Sequence, residues 1–208
     1  MSWNELAQAL ESPFCPSLPN FVAIVRCSLP WNDFCYISIL PIHLMDHPLR
    51  VPDVEYFTDG SSFILEGVHW AEYVVVTLDS VVEAQPLPTE MLTQKAELIA
   101  LTRALLLVKD KRVNIYTDSK YAFATLHVHG AIYKERELLT AGGKEIKYKE
   151  EILQLLDAVW APKKVAVMHC RRHEKAGTLE AKGNRKADRE AKQAAVTTSH
   201  PGEEALAM

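Results

Sequence analysis

The chain has 208 residues, of which 48% are hydrophobic, so it can bury a substantial core in one domain with extensions. Its four cysteines form no C-x-x-C pair, which argues against a zinc site or a disulfide framework and favours a reducing compartment. No apolar segment approaches the roughly 20 residues that cross a bilayer, and the N-terminus does not read as a secretory signal. We therefore expect a protein without a membrane partner.

The net charge of −4 argues by itself against a nucleic-acid partner, but the charge is unevenly distributed. Residues 163–192 carry ten lysines and arginines against four acidic residues, a local charge of +6. Such a segment could follow a phosphate backbone, although the solvated face of an ordinary helix has the same composition.

The first half of the chain predicts an irregular leader followed by strands. Prolines interrupt the sequence up to about residue 52, which predicts a domain boundary near residue 50. The segment VEYFTDGSS (54–62) predicts a strand and a turn. The segment HWAEYVVVTLDSVVEAQPL (69–87) predicts one or two further strands joined by a turn at Asp79 and Ser80. Together these form an antiparallel meander.

The middle of the chain changes to helical spacing. The segment EMLTQKAELIALTRALLLVKD (90–110) predicts one long helix. The segment KRVNIYTDS (111–119) predicts a short central strand running into a helix over KYAFATLHVH (120–129), with Asp118 and Ser119 at the helix N-cap. We expect Gly130 to separate this helix from a short one over AIYKERELL (131–139).

The last part of the chain alternates helix, strand and helix. The segment KEIKYKEEILQLLDAVW (144–160) predicts an amphipathic helix, with Ile146, Ile152, Leu155, Leu156 and Val159 facing inward. A strand over KVAVMHC (164–170), a loop and a basic helix over EAKGNRKADREAKQAAV (180–196) follow, before a tail that we expect to be disordered. The fold class predicted is α/β, with a mixed sheet flanked by helices.

Two aspartates stand where predicted strands end. Asp59 ends the first strand and Asp118 a later one. If these strands are parallel neighbours, their carboxyl ends bring both carboxylates to one edge of the sheet. Two adjacent carboxylates generally need a cation, and hard oxygen ligands favour Mg²⁺ or Mn²⁺. The alternative is that Asp59 is an ordinary turn residue.

Two further acids could complete this cluster. Glu97 falls on an otherwise apolar helix, where a buried charge is costly unless it is paired or binds a metal. Asp188 lies in the last, basic helix and could instead form a surface salt bridge with a neighbouring lysine or arginine. The residues alone thus indicate a possible two-metal phosphodiester site.

Six motifs occur in order along the chain: YFTDGSS, QKAELIALTRAL, NIYTDSKYAFATLHVHGAIYKERELLT, GKEIKYKEEIL, VMHCRRHEKAG and GNRKADREAK. Together, over about residues 46–196, they resemble the ribonuclease H domain of a gammaretroviral reverse transcriptase. The resemblance implies a five-stranded mixed sheet that begins with an antiparallel meander and has helices on both faces. It also predicts a leader (1–45), a linker (46–54), a ribonuclease H domain (55–196) and a disordered tail (197–208).

The resemblance implies a catalytic set of Asp59, Glu97, Asp118 and Asp188 with two Mg²⁺ ions, and with Mn²⁺ as a substitute for Mg²⁺. Asp59 would bridge the ions, Asp188 would hold the ion that activates water, and Glu97 with Asp118 would hold the other. His173 matches a histidine thought to shuttle protons or to help product release. On sequence alone, a loop histidine is more often an ordinary solvated residue.

The resemblance also implies contacts with an RNA–DNA hybrid. Gln94 would read the minor groove, Tyr121 would touch the DNA strand, and Asn184 is a further candidate. The short helix after Gly130 matches a basic protrusion, which implies phosphate contacts at Tyr133, Lys134 and Arg136.

Three departures from the family pattern stand out. Glu135 and Glu137 interrupt the basic protrusion and should weaken phosphate binding. Arg171 and Arg172 replace a proline and a glycine, which adds positive charge near the scissile strand. Glu72 stands where the family has glycine, a polar group at a position expected to be tight.

We therefore expect a metal-dependent endonuclease that cuts the RNA strand of RNA–DNA hybrids, inside a cell or within a viral particle. Two alternatives remain: a non-catalytic module that binds hybrids or a protein, and a scaffold for a partner of the leader. Nothing in these 208 residues resembles the Y-x-D-D site of a polymerase. The resemblance therefore suggests an endogenous or domesticated remnant, with a polymerase supplied in trans if one is needed.

Overall fold

A computed structural model describes residues 21–26, 36–41, 44–65, 67–135, 138–140, 142–171 and 177–199. The chain divides into two units, residues 1–42 and residues 43–208. The first unit contains an antiparallel pair, β1 (Phe21–Arg26) and β2 (Tyr36–Pro41), in which Phe21 lies opposite Pro41. These two strands fall within the predicted leader.

The second unit is built on a six-stranded mixed sheet. Its strands are β3 (Leu44–Met45), β4 (Val54–Leu65), β5 (Val68–Val76), β6 (Val81–Leu87), β7 (Arg112–Thr117) and β8 (Lys164–His169). Their order across the sheet is β3-β8-β7-β4-β5-β6, and β4, β5 and β6 form the predicted antiparallel meander. The α/β class is confirmed. The sheet has one strand more than predicted, because the two residues of β3 pair with β8 at its edge.

The helices of the second unit lie between and after the strands. They are α1 (Thr93–Leu106), α2 (Lys120–Ala124), a π-helix (Thr125–His129), α3 (Gly130–Glu135), α4 (Lys149–Ala158) and α5 (Leu179–Ser199). Within the part of the chain described, no helix is long and apolar enough to cross a membrane.

The two sheet faces bury different side chains, since successive strand residues point to opposite sides. Tyr56 and Ile115 belong to a core cluster with residues of α1 and α4. Phe57 and Tyr116, each one residue further along its strand, belong to a second cluster with residues of α5. The prediction of helices on both faces is therefore confirmed.

The helical segment after β7 differs from the prediction at Gly130. This glycine does not separate two helices: the π-helix runs directly into α3, whose first residue is Gly130. A Cβ at residue 130 would approach the side chain of Leu156 to 2.4 Å. The glycine therefore permits close packing against α4 instead of breaking the helix.

The amphipathic helix α4 begins five residues later than the segment predicted for it. Tyr148 has a left-handed backbone conformation, with φ of 64°, so the helix begins only at Lys149. The inward-facing residues were predicted correctly, because all five are buried: Ile146, Ile152, Leu155, Leu156 and Val159.

The segment before β4 packs against the sheet. Leu49 is buried in the same cluster as Phe57, and its backbone N–H donates to Asn114 Oδ1 at 2.9 Å. Asn114 Nδ2 donates in turn to Glu55 Oε1 at 3.1 Å. Part of the segment predicted as a linker is thus attached to the centre of the sheet, and the tail after residue 199 lies outside the described residues.

Candidate active site

Asp59 and Asp118 lie at the same edge of two paired strands. Strands β4 and β7 are parallel neighbours, with Thr58 opposite Thr117. Asp59 comes directly after Thr58 and Asp118 directly after Thr117, on strands that are about 4.8 Å apart. The expectation that the two strands are adjacent and parallel is confirmed, and Asp59 lies within β4, buried to 6% exposure, instead of in a turn.

Glu97 reaches this edge from α1, because α1 lies directly against β4. Gly60 faces the helix backbone: a Cβ at residue 60 would come within 2.4 Å of the Glu97 amide nitrogen. Glu97 is buried, and Ser119 Oγ donates a hydrogen bond of 2.5 Å to its Oε2. The same Ser119 Oγ accepts from the Ala122 amide at 3.1 Å, which caps α2 as predicted.

Helix α5 contributes Asn184 and Asp188 from the other face of the sheet. The close approach of α5 to the sheet depends on Gly183, where a Cβ would come within 2.2 Å of the Phe57 ring. Buried Asn184 donates through Nδ2 to Asp118 Oδ2 at 3.4 Å. Asp188 follows one helical turn later and pairs with Lys192 at 2.8 Å. The salt bridge considered for Asp188 is therefore present, on a helix that also contacts Asp118.

The side chains of this region have the donor atoms that a divalent cation needs, but their present arrangement is not that of a metal site. The four carboxylates are hard oxygen donors of the kind that Mg²⁺ and Mn²⁺ select. Among the described residues, however, no three histidine, cysteine or acidic side chains are arranged to hold a metal ion. Ser119, Asn184 and Lys192 instead contact Glu97, Asp118 and Asp188, so ion binding would require these contacts to be shared or exchanged.

A fifth acid, Glu72, faces the same region from β5. It lies opposite Ser61 in the β4–β5 pair, and Ser61 Oγ donates to its Oε1 at 2.9 Å. Only 2% of Glu72 is exposed. Burial raises the pKa of this carboxyl to about 7, and the negative charge of Asp59 acts in the same direction. The sequence marks Glu72 as a departure from the family pattern but does not predict it as a site residue.

The loop before α5 is described only in part. Arg171 is exposed directly after Cys170, whose backbone N–H donates to the Thr117 carbonyl at 2.9 Å. This hydrogen bond fixes the start of the loop beside Asp118. Arg172 and His173 lie outside the described residues, so their predicted roles remain predictions.

Four of the predicted substrate contacts lie on helices α1 to α3: Gln94, Tyr121, Tyr133 and Lys134. Gln94 is exposed at the second position of α1. Tyr121 contacts Tyr148 edge-to-face with ring centroids 6.3 Å apart, and its burial raises its pKa. Tyr133 stacks on His129 at 5.7 Å. The side chain of Lys134 and all of Arg136 lie outside the described residues.

Three further residues near these contacts were not predicted from the sequence. Lys147 Nζ lies 4.8 Å from the ring centroid of Tyr148, so Tyr148 contacts both a cation and Tyr121. Lys95, next to Gln94, pairs with Glu151 at 2.6 Å. Tyr148 carries no sequence signal beyond its aromatic ring, because its position depends on the left-handed turn before α4.

The family model for RNase H matches residues 52–196, which include all four candidate carboxylates. The chain therefore belongs to the RNase H family. Within this family it matches the gammaretroviral polyproteins: it is 61% identical over 153 residues to the Gag-Pol polyprotein of Avian reticuloendotheliosis virus, covering 74% of this chain and 13% of that protein.

Other relatives agree with this placement. The Gag-Pol polyprotein of Koala retrovirus is 56% identical over 156 residues, with 74% of this chain and 9% of that protein covered. The Pol polyprotein of Radiation murine leukemia virus (strain Kaplan) is 51% identical over 153 residues, with 74% and 26% covered. The chain thus spans about a quarter or less of the length of these relatives.

Solved structures show the same fold. The solution structure of the PFV RNase H domain is similar with a TM-score of 0.57 and 19% identity, covering 70% of this chain and 96% of that one. A foamy viral protease-reverse transcriptase in complex with dsDNA is similar with a TM-score of 0.58 and 19% identity, covering 73% and 99%.

Proposed function

We propose that this chain is a metal-dependent endonuclease that hydrolyses the RNA strand of RNA–DNA hybrids. The observation that supports this most directly is the parallel register of β4 and β7, which carries Asp59 and Asp118 to one sheet edge. Membership of the RNase H family supports nuclease chemistry in general. We extend this chemistry to the present chain and to RNA–DNA hybrids as its substrate.

The proposed cofactor is a pair of Mg²⁺ ions, with Mn²⁺ as a substitute. Asp59 would help to hold both ions, Asp188 would hold one, and Glu97 with Asp118 would hold the other. When bound, the ions would activate a water molecule and stabilise the leaving oxygen of the phosphodiester.

The chain's own residues orient these carboxylates. Ser119 holds Glu97 through a hydrogen bond and is itself held by the start of α2. Asn184 donates to Asp118 across the gap between the sheet and α5. Because these donors are buried, they restrict the carboxylates to few orientations. His173 would carry protons to or from the reacting water or leaving group.

The proposed substrate surface runs along the starts of α1 and α2. Exposed Gln94 would read base edges in the minor groove, and the Tyr121 and Tyr148 rings would contact the DNA strand. Tyr133, Lys134, Arg136, Arg171 and Arg172 would contact phosphates. A protein that senses a 2′-hydroxyl strand and a DNA strand together can distinguish a hybrid from either pure duplex.

The assigned roles are tested by separating cleavage from binding. Asp59→Asn removes a carboxylate charge while preserving side-chain size, so we expect it to abolish hybrid cleavage and leave hybrid affinity within about threefold. The matched control is Asp79→Asn, since Asp79 is exposed in the turn between β5 and β6. Equal loss of cleavage and binding in Asp59→Asn would contradict the assigned role. Hybrid binding by the wild-type chain without cleavage would favour the non-catalytic module.

A further inference from the structure

We propose that Glu72 is an additional acidic member of the cation site at Asp59 and increases the affinity of that site for a divalent ion. This inference rests on the proposed function, because it assigns a role within the same metal site. Glu72 departs from the family pattern, which has glycine at this position.

The sheet register places Glu72 and Asp59 on one face. In the β4–β5 pair, Asp59 lies opposite Val74 and Ser61 lies opposite Glu72. Paired residues point to the same side, and so do residues two apart on one strand, so all four side chains face α5. Diagonal neighbours of this kind are about 7 Å apart between backbones, within reach of a glutamate side chain.

Only one of the two Glu72 carboxyl oxygens has its hydrogen bond. Oε1 accepts from Ser61 Oγ at 2.9 Å, whereas Oε2 is buried and has no hydrogen-bond partner within the described structure. A buried carboxylate oxygen without a donor or a cation is costly. Glu72 therefore destabilises the fold unless a cation or a donor satisfies this oxygen. A hydrated divalent cation beside Asp59 would supply what this oxygen does not have.

The electrostatics of the two acids point in the same direction. Asp59 and Glu72 are both buried and lie on the same face of the β4–β5 pair, so as carboxylates they repel each other. Two repelling buried carboxylates form a more attractive site for a divalent cation than either one alone. Glu72 therefore opposes the folded protein when the ion is absent and supports ion binding when it is present.

Isothermal titration calorimetry of Mn²⁺ into the full chain without nucleic acid tests this inference at about pH 8, where carboxyl groups are largely ionised. We expect Glu72→Gln to weaken Mn²⁺ binding by about three- to tenfold, and Glu72→Gly, which restores the family's residue, to weaken it to a similar extent. Glu150→Gln is the matched control, because Glu150 is an exposed acid at the start of α4 on the opposite face of the sheet.

The variants also distinguish failure of this inference from failure of the proposed function. Mn²⁺ binding that is lost in Asp59→Asn but unchanged in both folded Glu72 variants would overturn the role of Glu72 alone. No Mn²⁺ binding by the wild-type chain, or equal binding by wild type and Asp59→Asn, would overturn the metal site and the role of Glu72 with it. Circular dichroism of each variant establishes that it is folded before titration.

Discussion

Gly60 and Glu97 are in direct contact through their backbones, since a Cβ at residue 60 would come within 2.4 Å of the Glu97 amide nitrogen. This close approach sets the distance between β4, which carries Asp59, and α1, which carries Glu97. The separation of two candidate catalytic carboxylates thus depends on the absence of a single methyl group.

Gly60→Ala should therefore move α1 away from β4. We expect a loss of at least about 2 kcal/mol in the free energy of unfolding, because the clash is with backbone that cannot rotate away. The rate of hybrid cleavage by the folded variant should also fall, because Glu97 on α1 would move away from Asp59 on β4. Denaturant titration and cleavage rates measure the two effects, and Gly142→Ala is the control, because its nearest neighbour would be 4.0 Å from the new Cβ. Wild-type stability in Gly60→Ala would contradict this packing.

Ser119→Ala should affect both a helix cap and a carboxylate. Loss of the N-cap and of the hydrogen bond to Glu97 should cost about 1–2 kcal/mol in the free energy of unfolding. Freed from Ser119, Glu97 should also support cleavage less well. Thr178→Ala is the comparison, because the Thr178 hydroxyl accepts from the Ala181 amide at the start of α5 but has no described contact with a carboxylate. A similar cleavage rate in both variants at similar stability would argue against an orienting role for Ser119.

Glu83 should make stability depend on pH in the acidic range. The hydrogen bonds from Arg103, at 2.7 and 2.9 Å, hold the pKa of Glu83 below its ordinary value of 4.5. A lowered folded-state pKa stabilises the protein above the unfolded-state value, and this stability is lost as the pH falls through the folded-state pKa. Since Arg103 is partly exposed, we expect Glu83→Gln to cost only about 1 kcal/mol near neutral pH. Thermal unfolding should show the difference shrinking below about pH 4, and a constant difference would contradict this assignment.

Glu72 should act in the opposite sense. Its folded-state pKa of about 7 lies above the ordinary 4.5, so the folded protein holds this proton more tightly than the unfolded chain does. The free energy of unfolding therefore decreases as the pH rises from 4.5 towards 7, and the penalty is complete above that range. With EDTA present, Glu72→Gln should stabilise the protein by about 1–3 kcal/mol near pH 8 and have little effect near pH 4. Destabilisation at both pH values would instead indicate that the carboxylate is satisfied in the fold.

Much of the fold follows from patterns within single elements. The valine-rich meander, the cap at Ser119 and the buried stripe of α4 were predicted because each depends on residues close together in the chain. The contact between Gly130 and Leu156 was not, since a glycine in a helical sequence looks like a break until the partner helix is known. Strand β3 was missed for a similar reason: two residues carry no periodicity, and their pairing with β8 spans most of the domain.

The candidate site was predictable to a smaller extent. Strand ends pointed to Asp59 and Asp118, but the roles of Glu97 and Asp188 came from the family resemblance. The sequence gives no sign that Asn184 donates to Asp118, because this contact depends on how α5 crosses the sheet. The pairing of Asp188 with Lys192 was predicted as an alternative, since the two residues lie four positions apart on one predicted helix. Glu72 was visible as an unusual residue, yet its orientation towards Asp59 emerges only from the β4–β5 register.

The central claim is tested most directly by incubating the purified chain with an end-labelled RNA–DNA hybrid in Mg²⁺, Mn²⁺ or EDTA. Double-stranded RNA and double-stranded DNA of the same sequence serve as controls. We predict cleavage of the RNA strand of the hybrid alone, in either metal and not in EDTA. A folded chain that binds the hybrid and cuts it with neither metal would contradict the proposed endonuclease activity.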